Sequence, residues 1–468
     1  MDIKKHNEIE TASSCLQSRS SIEELITQQT QRKITPKTAE SLPRGTTPIM
    51  TIKTKSNIKS PKEFKKIQMI GRGNIGKVYL VQKRGTKELY SMKVMDKKII
   101  EERKKQQRVE SERSILKTLK HPFIVHLLFD FETPLYHLFV MTYCAGGDFW
   151  RILKKQPGQC FRERVAQFYL AEVVCALEYL HMKGIVYRDL KPENILLHES
   201  GHIMLGDFDL STHSQEEEHA RIKTSLFGDD EIIVEPSNFR SNSFVGTNEY
   251  LAPEIISKDG HSASVDWWTL GVLMYEFLYG CNPFTSATIQ ETHKKIQKGI
   301  YTFPKMHRYK VSREAKDLIK ELLDVDSEDR LGSKYGAIEI KQHEFFEDIK
   351  FALIRNMTPP IIPRLNGPKD TGYFYQYKKF DDDVPDDWGY DENYMNGSKM
   401  KNYGLNQMKQ NDNDSTSDYN SNDDNIYQFD ESEEFEECVN IPEDNVFRIK
   451  QIHEICDVRD EIFGDLED

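Results

Sequence analysis

Residues 187–194 read YRDLKPEN, and this stretch decides both the fold and the chemistry that the chain predicts. Asp189 can take a proton from a hydroxyl group, and Lys191 can neutralise an anion that develops beside it. Asn194 adds an amide oxygen, a ligand type that suits a hard divalent cation. An acid, a cation and an amide so close together predict a catalytic loop that works on a charged substrate.

A second acidic motif follows thirteen residues after Asn194, where Asp207, Phe208 and Asp209 form the tripeptide DFD. Asp207 offers a carboxylate, so that it and Asn194 together can hold magnesium between phosphate oxygens. It is very improbable that the eight-residue loop and an Asp-Phe pair at this spacing from it both occur by chance. Together they predict phosphoryl transfer from ATP with Mg²⁺ as the cofactor.

The glycine pattern G-x-G-x-x-G is formed by Gly71, Gly73 and Gly76, with Val78 after it. Glycine lets backbone N–H groups approach phosphate oxygens closely, but dinucleotide-binding turns use the same pattern. A dinucleotide fold requires a helix directly after the third glycine. Here a second strand follows instead, and Lys93 lies in a third strand. The order of elements therefore favours a turn over the phosphates of ATP.

Lys93 is a charged residue inside the apolar strand predicted for residues 89–95. It is either an edge lysine that points to water or a lysine that bridges the α- and β-phosphates and is held by an acid. Two acids on the following helical segment can hold it, Glu112 and its rival Glu110. The sequence favours Glu112, which stands just before the apolar pair Ile115-Leu116.

The order of the predicted elements indicates a two-lobed α+β fold, with a small sheet first and a helical part second. Short apolar runs predict strands, and a period of 3.6 residues predicts helices. The predicted strands are 64–70, 77–82, 89–95 and 138–143. The predicted helices are 101–119, 148–155, 162–183, 265–280 and 314–323.

These motifs resemble those of protein kinases, and the resemblance extends from about Phe64 to about Phe374. It implies the bilobal protein kinase fold, with a β-rich small lobe, one key helix and a larger helical lobe. Two further runs resemble the AGC group of serine/threonine kinases. They are FVGTNEYLAPE at 244–254 and DWWTLG at 266–271.

Within that group, the chain is most similar to the fungal flippase-kinase-like enzymes and the plant phototropin-related kinases. Asp209 replaces the usual third glycine of the DFG motif, and the activation segment is enlarged at 212–242. The run at 352–363, ALIRNMTPPIIP, strengthens the fungal comparison.

The resemblance implies a role for each residue of an ATP site. Lys93, Glu112, Asp189 and Lys191 would be catalytic, and Asn194 and Asp207 would hold magnesium. The purine would be bound by Val78, the gatekeeper Met141, the hinge residues Thr142 and Cys144, Leu196 and Phe374. Glu254 would form a buried bridge with Arg330, and Asp266 would hold the backbone of the catalytic loop.

The resemblance also implies a preference for basic protein substrates. Asp148, Glu193 and Glu276 match positions at which such kinases bind arginine, a pairing that suits carboxylates because guanidinium binds them in bidentate fashion. Thr247 lies in the loop that positions the substrate peptide. We expect acceptors with arginine two or three residues before the serine or threonine.

Ser243 matches the activation-loop phosphosite, where a phosphate could be clamped by an arginine. Arg240 stands three residues before Ser243, and Arg221 stands three before Thr224. The sequence therefore predicts either an upstream activating kinase or autophosphorylation. Full Ser243 phosphate on an inactive Asp189→Ala chain would rule out autophosphorylation.

Composition divides the chain into segments of different character. The predicted segments are a disordered 1–60, a kinase domain at 64–346 with the insertion 212–242, an AGC tail at 347–380 and a mostly disordered tail at 381–468. The last segment holds 27 acidic and 6 basic residues. Such a tail is either solvated or bound to the rim of the substrate groove or to basic residues of the small lobe. A terminal hydrophobic motif is not clear, with Trp388–Tyr394 and Phe429–Phe435 as candidates.

Several other classes of protein are disfavoured. The chain has no apolar run of transmembrane length, no apolar region in Met1–Glu10 and no C-x-x-C pair among its seven cysteines. We expect a cytoplasmic monomer without a transmembrane segment or a nucleic-acid partner. Any membrane association is expected to involve partners or the basic segment Lys53–Lys66. A scaffold pseudokinase, suggested by Asp209, and a lipid or small-molecule kinase are the rival interpretations.

Overall fold

The computed structural model describes residues 58–73, 75–213, 245–305, 307–378 and 382–390, and the backbone alone of 221–224 and 231–234. Within these ranges the chain forms a small lobe built on a sheet and a larger lobe built mainly on helices. Among the helices of these ranges, none is both long enough and apolar enough to cross a membrane.

The small lobe contains five antiparallel strands in the order β1-β2-β3-β5-β4. Their bounds are β1 Phe64–Arg72, β2 Gly76–Lys83, β3 Leu89–Asp96, β4 Leu127–Glu132 and β5 Tyr136–Met141. Strand β4 was not predicted, because its apolar run is short and is interrupted by Asp130. The central position of β3 places Lys93 opposite Val78 on one side and Phe139 on the other.

Two helices follow β3, where the sequence predicted a single helix over 101–119. They are α1 Lys97–Glu102 and α2 Gln106–Thr118. The prediction is wrong because Lys104 adopts a φ of 52°, in the left-handed region that a helix cannot continue through. The break lets α2 take its own direction and turn the face of Val109 and Glu112 into the protein.

The larger lobe is organised around two long helices. Its helices are α3 Phe149–Lys154, α4 Glu163–Met182, α5 Pro253–Ser257, α6 Ser264–Tyr279, α7 Ile289–Gln297, α8 Arg313–Leu322 and α9 Ala337–Lys341. Every residue of α6 is buried, which agrees with the prediction of a buried helix over 265–280. A helix that is apolar on all sides belongs in the interior of a domain.

Short strands fix both ends of the catalytic loop. They are β6 Ile185–Val186, β7 Ile195–Leu197, β8 Ile203–Leu205 and β9 Thr212–His213, and β6 pairs with β9 while β7 pairs with β8. In the insertion, the strands β10 Arg221–Thr224 and β11 Glu231–Val234 pair with each other. The catalytic loop lies between β6 and β7. Because these strands pair with β9 and β8, the two ends of the loop are held next to the strands that flank residues 206–211.

Residues 382–390 pack on the face of the small sheet that lies opposite Lys93. Trp388 is fully buried there, and its Nε1 donates to the carbonyl oxygen of Phe64 at 3.2 Å. Its ring meets the ring of Tyr79 edge to face, with 5.8 Å between centroids. Val384 is also buried against this face.

Acidic side chains of the same segment pair with basic residues of the sheet. Lys66 Nζ lies 2.9 Å from Asp382 and 3.4 Å from Asp386, and Lys77 Nζ lies 2.7 Å from Asp383. The sequence analysis offered two places at which the tail could bind, the rim of the substrate groove and the basic residues of the small lobe. These contacts are of the second kind. The prediction of a mostly disordered tail from residue 381 did not include this docked stretch of nine residues.

Replacing Trp388 by alanine is expected to lower the free energy of unfolding by about 2 kcal/mol. A tryptophan in the centre of the domain would contribute more, because we expect a short docked segment to open locally more easily than a core strand or helix. Urea unfolding of the full chain, followed by circular dichroism, measures the change. Trp150→Ala is the matched control, because Trp150 is 38% exposed. Equal stability of the two variants would contradict the docking, as would equal stability of chains that end at residues 385 and 390.

Candidate active site

Lys93 lies between two carboxylates in the cleft below the small sheet. Its Nζ is 2.7 and 3.0 Å from the two oxygens of Glu112 and 3.2 Å from Oδ1 of Asp207. Burial alone lowers the pKa of Lys93, but the carboxylates of Asp207 and Glu112 raise it above its ordinary value. The Lys93 ammonium in turn lowers the pKa of Asp207. Both groups therefore stay charged at neutral pH.

The structure distinguishes between the two acids that the sequence offered as partners of Lys93. Glu112 has a side chain only 1% exposed and faces the lysine. Glu110 is exposed, and it pairs instead with Arg113 at 3.3 Å. Because α2 turns by 3.6 residues, positions 110 and 112 point in different directions, and only one of them can reach β3.

The catalytic loop brings four predicted residues into one hydrogen-bonded cluster. Lys191 Nζ lies 3.1 Å from Asp189 Oδ2 and donates to Thr247 Oγ1 at 2.8 Å. Thr247 Oγ1 donates to Asp189 Oδ1 at 3.3 Å, and Asn194 Nδ2 donates to Asp189 Oδ2 at 2.7 Å. Burial raises the pKa of the Asp189 carboxyl, while Lys191 opposes that rise. A carboxylate with a raised pKa is better suited to accept a proton.

Asp266 supports the loop from the start of α6. Its carboxylate accepts hydrogen bonds from the backbone N–H groups of Tyr187 at 2.8 Å and Arg188 at 2.7 Å. His181 Nε2 lies 2.8 Å from the same carboxylate. Arg188 has a φ of 67°, a strained value for a residue other than glycine. The buried carboxylate therefore holds the loop in a backbone shape that it would not adopt alone.

The predicted glycine turn joins β1 to β2. Gly73 N–H donates to the carbonyl oxygen of Gly76 at 2.8 Å. A Cβ atom at Gly76 would lie 2.3 Å from the carbonyl oxygen of Val94, so no other residue fits there without moving the strand. Gly71 pairs with Val78 across the hairpin. Of the three glycines, Gly76 is therefore the one whose position leaves no room for a side chain.

The predicted purine-binding residues lie along the connection between the lobes. Met141 ends β5, and the buried Cys144 follows two residues after Thr142. Ser91 Oγ donates a hydrogen bond to the carbonyl oxygen of Thr142 at 2.9 Å. This bond uses one of the two lone pairs of that oxygen, which belongs to a predicted hinge residue. The sequence analysis did not predict this contact.

Leu196 and Phe374 lie at the edge of the same region. Leu196 is on β7, and its backbone forms an isolated antiparallel β-bridge with that of Asp148. Phe374 stacks on the ring of Tyr143, with 5.9 Å between ring centroids, and Tyr143 Oη donates to the carbonyl oxygen of Asp370 at 3.0 Å. One ring stack and one hydrogen bond, both made by Tyr143, thus anchor the segment 347–378 beside the hinge.

The chemistry of Asn194 and Asp207 fits a magnesium site. Asn194 uses its Nδ2 to donate to Asp189 at 2.7 Å, which leaves its side-chain oxygen as the group available for a ligand. Asp207 keeps a side chain that is 50% exposed to the cleft. An amide oxygen and an ionised carboxylate are the donor types that Mg²⁺ prefers.

The three acids predicted to bind substrate arginine belong to one electrostatic cluster, but they differ in accessibility. Desolvation raises the pKa of Glu193, and the negative charges of Glu276 and Asp148 add to the rise. Glu193 is exposed. Glu276 is buried and accepts a hydrogen bond from Tyr250 Oη.

Asp148 is also partly engaged. It caps α3 by accepting from the backbone N–H of Arg151 at 2.9 Å, and its other oxygen lies 3.2 Å from Arg151 Nε. The spacing of three residues at a helix start could have predicted this pair from the sequence. The contact of Glu276 with Tyr250 could not be predicted in this way, because the two residues are far apart in the sequence. Glu193 is therefore the acid that is most open to a substrate.

Glu254 and Arg330 form a buried bidentate pair. Arg330 Nη1 donates to Glu254 Oε1 at 2.7 Å, and Nη2 donates to Oε2 at 2.9 Å. Arg330 also donates to the carbonyl oxygens of Ser264 and Asp324, each at 3.0 Å. The pair therefore links the end of the activation segment to the loop after α8.

The predicted phosphosite Ser243 and most of the insertion 212–242 lie outside the described residues, as do residues 1–57 and the candidate motif Phe429–Phe435. No structural statement applies to them.

A comparison of sequences with known protein families assigns the chain to one of them. A family model described as the protein kinase domain matches residues 64–346, which is more than half of the chain. The chain belongs to the protein kinase family. The predicted α+β, bilobal fold is thereby confirmed.

Curated relatives point to one branch of that family. The chain is 47% identical over 309 residues to Flippase kinase 1 of Saccharomyces cerevisiae, covering 65% of this chain and 34% of the relative. It is 48% identical over 314 residues to Serine/threonine-protein kinase ppk22 of Schizosaccharomyces pombe, covering 65% and 60%. It is 46% identical over 334 residues to Phototropin-2 of Oryza sativa, covering 69% and 36%. The predicted resemblance to fungal and plant kinases of this kind is confirmed, and the chain spans about a third to three fifths of these relatives.

Proposed function

We propose that the chain transfers the γ-phosphoryl group of ATP to serine and threonine hydroxyls of proteins. The observation that carries this proposal is the position of Lys93 between Glu112 and Asp207, beside the Asp189 cluster. A lysine paired in this way is fixed and charged where the nucleotide phosphates would lie. The family match and the names of the relatives support the same activity.

In the proposed reaction, the acceptor hydroxyl donates a hydrogen bond to Asp189. The oxygen of the acceptor hydroxyl forms a bond to the γ-phosphorus. At the same time the bond between the γ-phosphorus and the β-γ bridging oxygen breaks, and ADP leaves. Asp189 takes the hydroxyl proton, which the raised pKa of its buried carboxyl favours. Lys191, 3.1 Å from Asp189, stabilises the charge on the transferred group. Thr247 keeps the two side chains aligned through its hydroxyl.

The remaining members of the proposed site bind the nucleotide. Asn194 and Asp207 would hold Mg²⁺, which neutralises phosphate charge when it is bound. The backbone of the turn from Gly71 to Gly76 would cover the phosphates, and the hinge at 142–144 would bind the adenine.

The test is phosphate transfer by the purified full chain to a degenerate peptide library that contains arginine. Transfer that favours arginine two or three residues before the acceptor is the expected result. If the chain bound ATP but transferred nothing, even when Ser243 carried phosphate, the chain would act as a scaffold pseudokinase instead.

Glu193 is proposed as the main determinant of the arginine preference, because it is exposed while Glu276 is buried. Replacing Glu193 by glutamine should raise KM for an arginine peptide by about 10- to 100-fold, the worth of one charge-assisted hydrogen bond. The KM for ATP should stay unchanged. Steady-state kinetics with matched arginine and alanine peptides measure the effect.

The control for this experiment is Glu347→Gln, which removes an exposed carboxylate elsewhere on the larger lobe. If Glu193→Gln lost activity equally on the arginine and the alanine peptide, the residue would have no role in selecting arginine.

The biological substrates are proposed on the relatives alone. One relative is named a flippase kinase, and we propose lipid-translocating ATPases or proteins of membrane polarity as targets. Cytosolic segments of such a transporter should be phosphorylated at sites that follow arginine. Equal labelling after these arginines are replaced by alanine would count against that choice.

A further inference from the structure

The third residue of the DFD motif contacts the helix that carries Glu112. Phe208, in the middle of the motif, is fully buried and meets the ring of Tyr187 at 5.2 Å. Its burial fixes the backbone on both sides. Asp209 then points towards α2, where its Oδ2 lies 3.8 Å from Nη1 of Arg108. Asp209 Oδ1 is buried and has no hydrogen-bond partner among the described residues.

The contact lies beside a second link between the same two elements. Arg108 and Glu112 are four residues apart on α2, and this spacing places them on one face of the helix. Lys93 connects Glu112 to Asp207, at 2.7 and 3.2 Å. Arg108 and Asp209 make a direct connection one helical turn away. The face of α2 is therefore attached to the DFD motif at two points, and the second attachment requires a carboxylate that glycine does not have.

Asp209 also supplies negative charge in a region that is rich in cations. Burial lowers the pKa of Arg188 to about 10, and the positive charge of Arg108 adds to the decrease. Burial and the charge of Arg108 likewise lower the pKa of Lys105, whereas Asp209 acts in the opposite direction. Without Asp209, Arg108 would lose the carboxylate that faces it, while the charges of Lys105 and Arg188 would remain nearby.

We propose that Asp209 is a positioning residue, which pairs with Arg108 and holds α2 so that Glu112 remains against Lys93. The inference rests on the proposed kinase function and assigns a use to the residue that departs from the DFG pattern.

The test is a double-mutant cycle in the full chain, with Asp209→Asn, Arg108→Gln and the double variant. Each single variant should lower kcat for an arginine peptide by about fivefold, as expected for a partly exposed ion pair. The double variant should be no worse than the poorer single variant, because the same contact is lost in all three. Asp209→Glu should retain most of the activity, since it keeps the charge.

Hydrogen exchange of ATP-free protein provides a readout that does not depend on transfer. The amides of 105–113 should exchange about fivefold faster in Asp209→Asn and Arg108→Gln, while those of α6 keep their rates. Arg103→Gln, which removes an exposed arginine after α1, is the control and should change neither kcat nor exchange.

Additive losses in kcat, or unchanged exchange of 105–113, would overturn the inference even if the wild-type chain is an active kinase. If the wild-type chain transferred no phosphate, the proposed function would fail, and the exchange experiment would still decide whether the pair holds α2.

Discussion

Replacing Asp207 by asparagine should lower kcat by about a thousandfold or more. The variant keeps the size of the side chain but removes the charge that would hold Mg²⁺ and that pairs with Lys93 at 3.2 Å. Single-turnover transfer of labelled phosphate to an arginine peptide measures the loss. Because the side chain is 50% exposed, the melting temperature should change little.

The control for Asp207→Asn is Asp348→Asn, which alters an exposed aspartate away from the cleft and should leave kcat unchanged. A variant at position 207 that retained a tenth of the wild-type kcat would show that Asp207 does not hold the metal.

Replacing Arg330 by alanine should lower the free energy of unfolding by about 3–5 kcal/mol. Arg330 is fully buried, and its loss would leave the carboxylate of Glu254 without its partner and would remove two hydrogen bonds to backbone carbonyl oxygens. For a domain of this size, the melting temperature should fall by roughly 10 °C. Thermal unfolding followed by circular dichroism measures the change.

An exposed pair gives the comparison that this prediction needs. Lys334 and Asp329 are also paired, at 3.3 Å, but their side chains are 63% and 69% exposed. Lys334→Ala should therefore change stability by less than about 1 kcal/mol. The double variant Glu254→Leu, Arg330→Met should recover much of the lost stability, because it leaves no unpaired buried charge. A loss below 1 kcal/mol in Arg330→Ala would mean that the pair has no structural role.

Sequence reasoning performed best where chemistry restricts the choice of residue. Lys191, Asn194 and Thr247 each lie within hydrogen-bonding distance of Asp189 in the structure. Few other residue types could handle a phosphate and a metal in one place, so the catalytic loop and the DFD motif predicted a shared site, whereas the role of Thr247 was implied by the family resemblance. The partner of Lys93 required a helix register as well, and that register was readable from the apolar residues of α2.

The sequence was less informative about contacts between distant segments. The break at Lys104 depends on a left-handed backbone conformation, and a lysine in the sequence does not indicate that conformation. Tyr250 covers Glu276 through a contact that has no periodic signal in the sequence. The docking of Trp388 is similar, since its burial depends on a sheet formed far earlier in the chain. Tertiary packing decided these features, and local propensity did not.

The position of Trp388 has a consequence for how the protein is made. The tryptophan and its partner Phe64 are 324 residues apart. At a synthesis rate of about 5–20 residues per second, roughly 16 to 65 s pass on the ribosome between the two. During that interval the apolar face around Phe64 and Tyr79 is already synthesised but lacks its cover. The small lobe, although it begins the domain, is therefore completed last, because the segment that covers its first strands is synthesised after the rest of the domain.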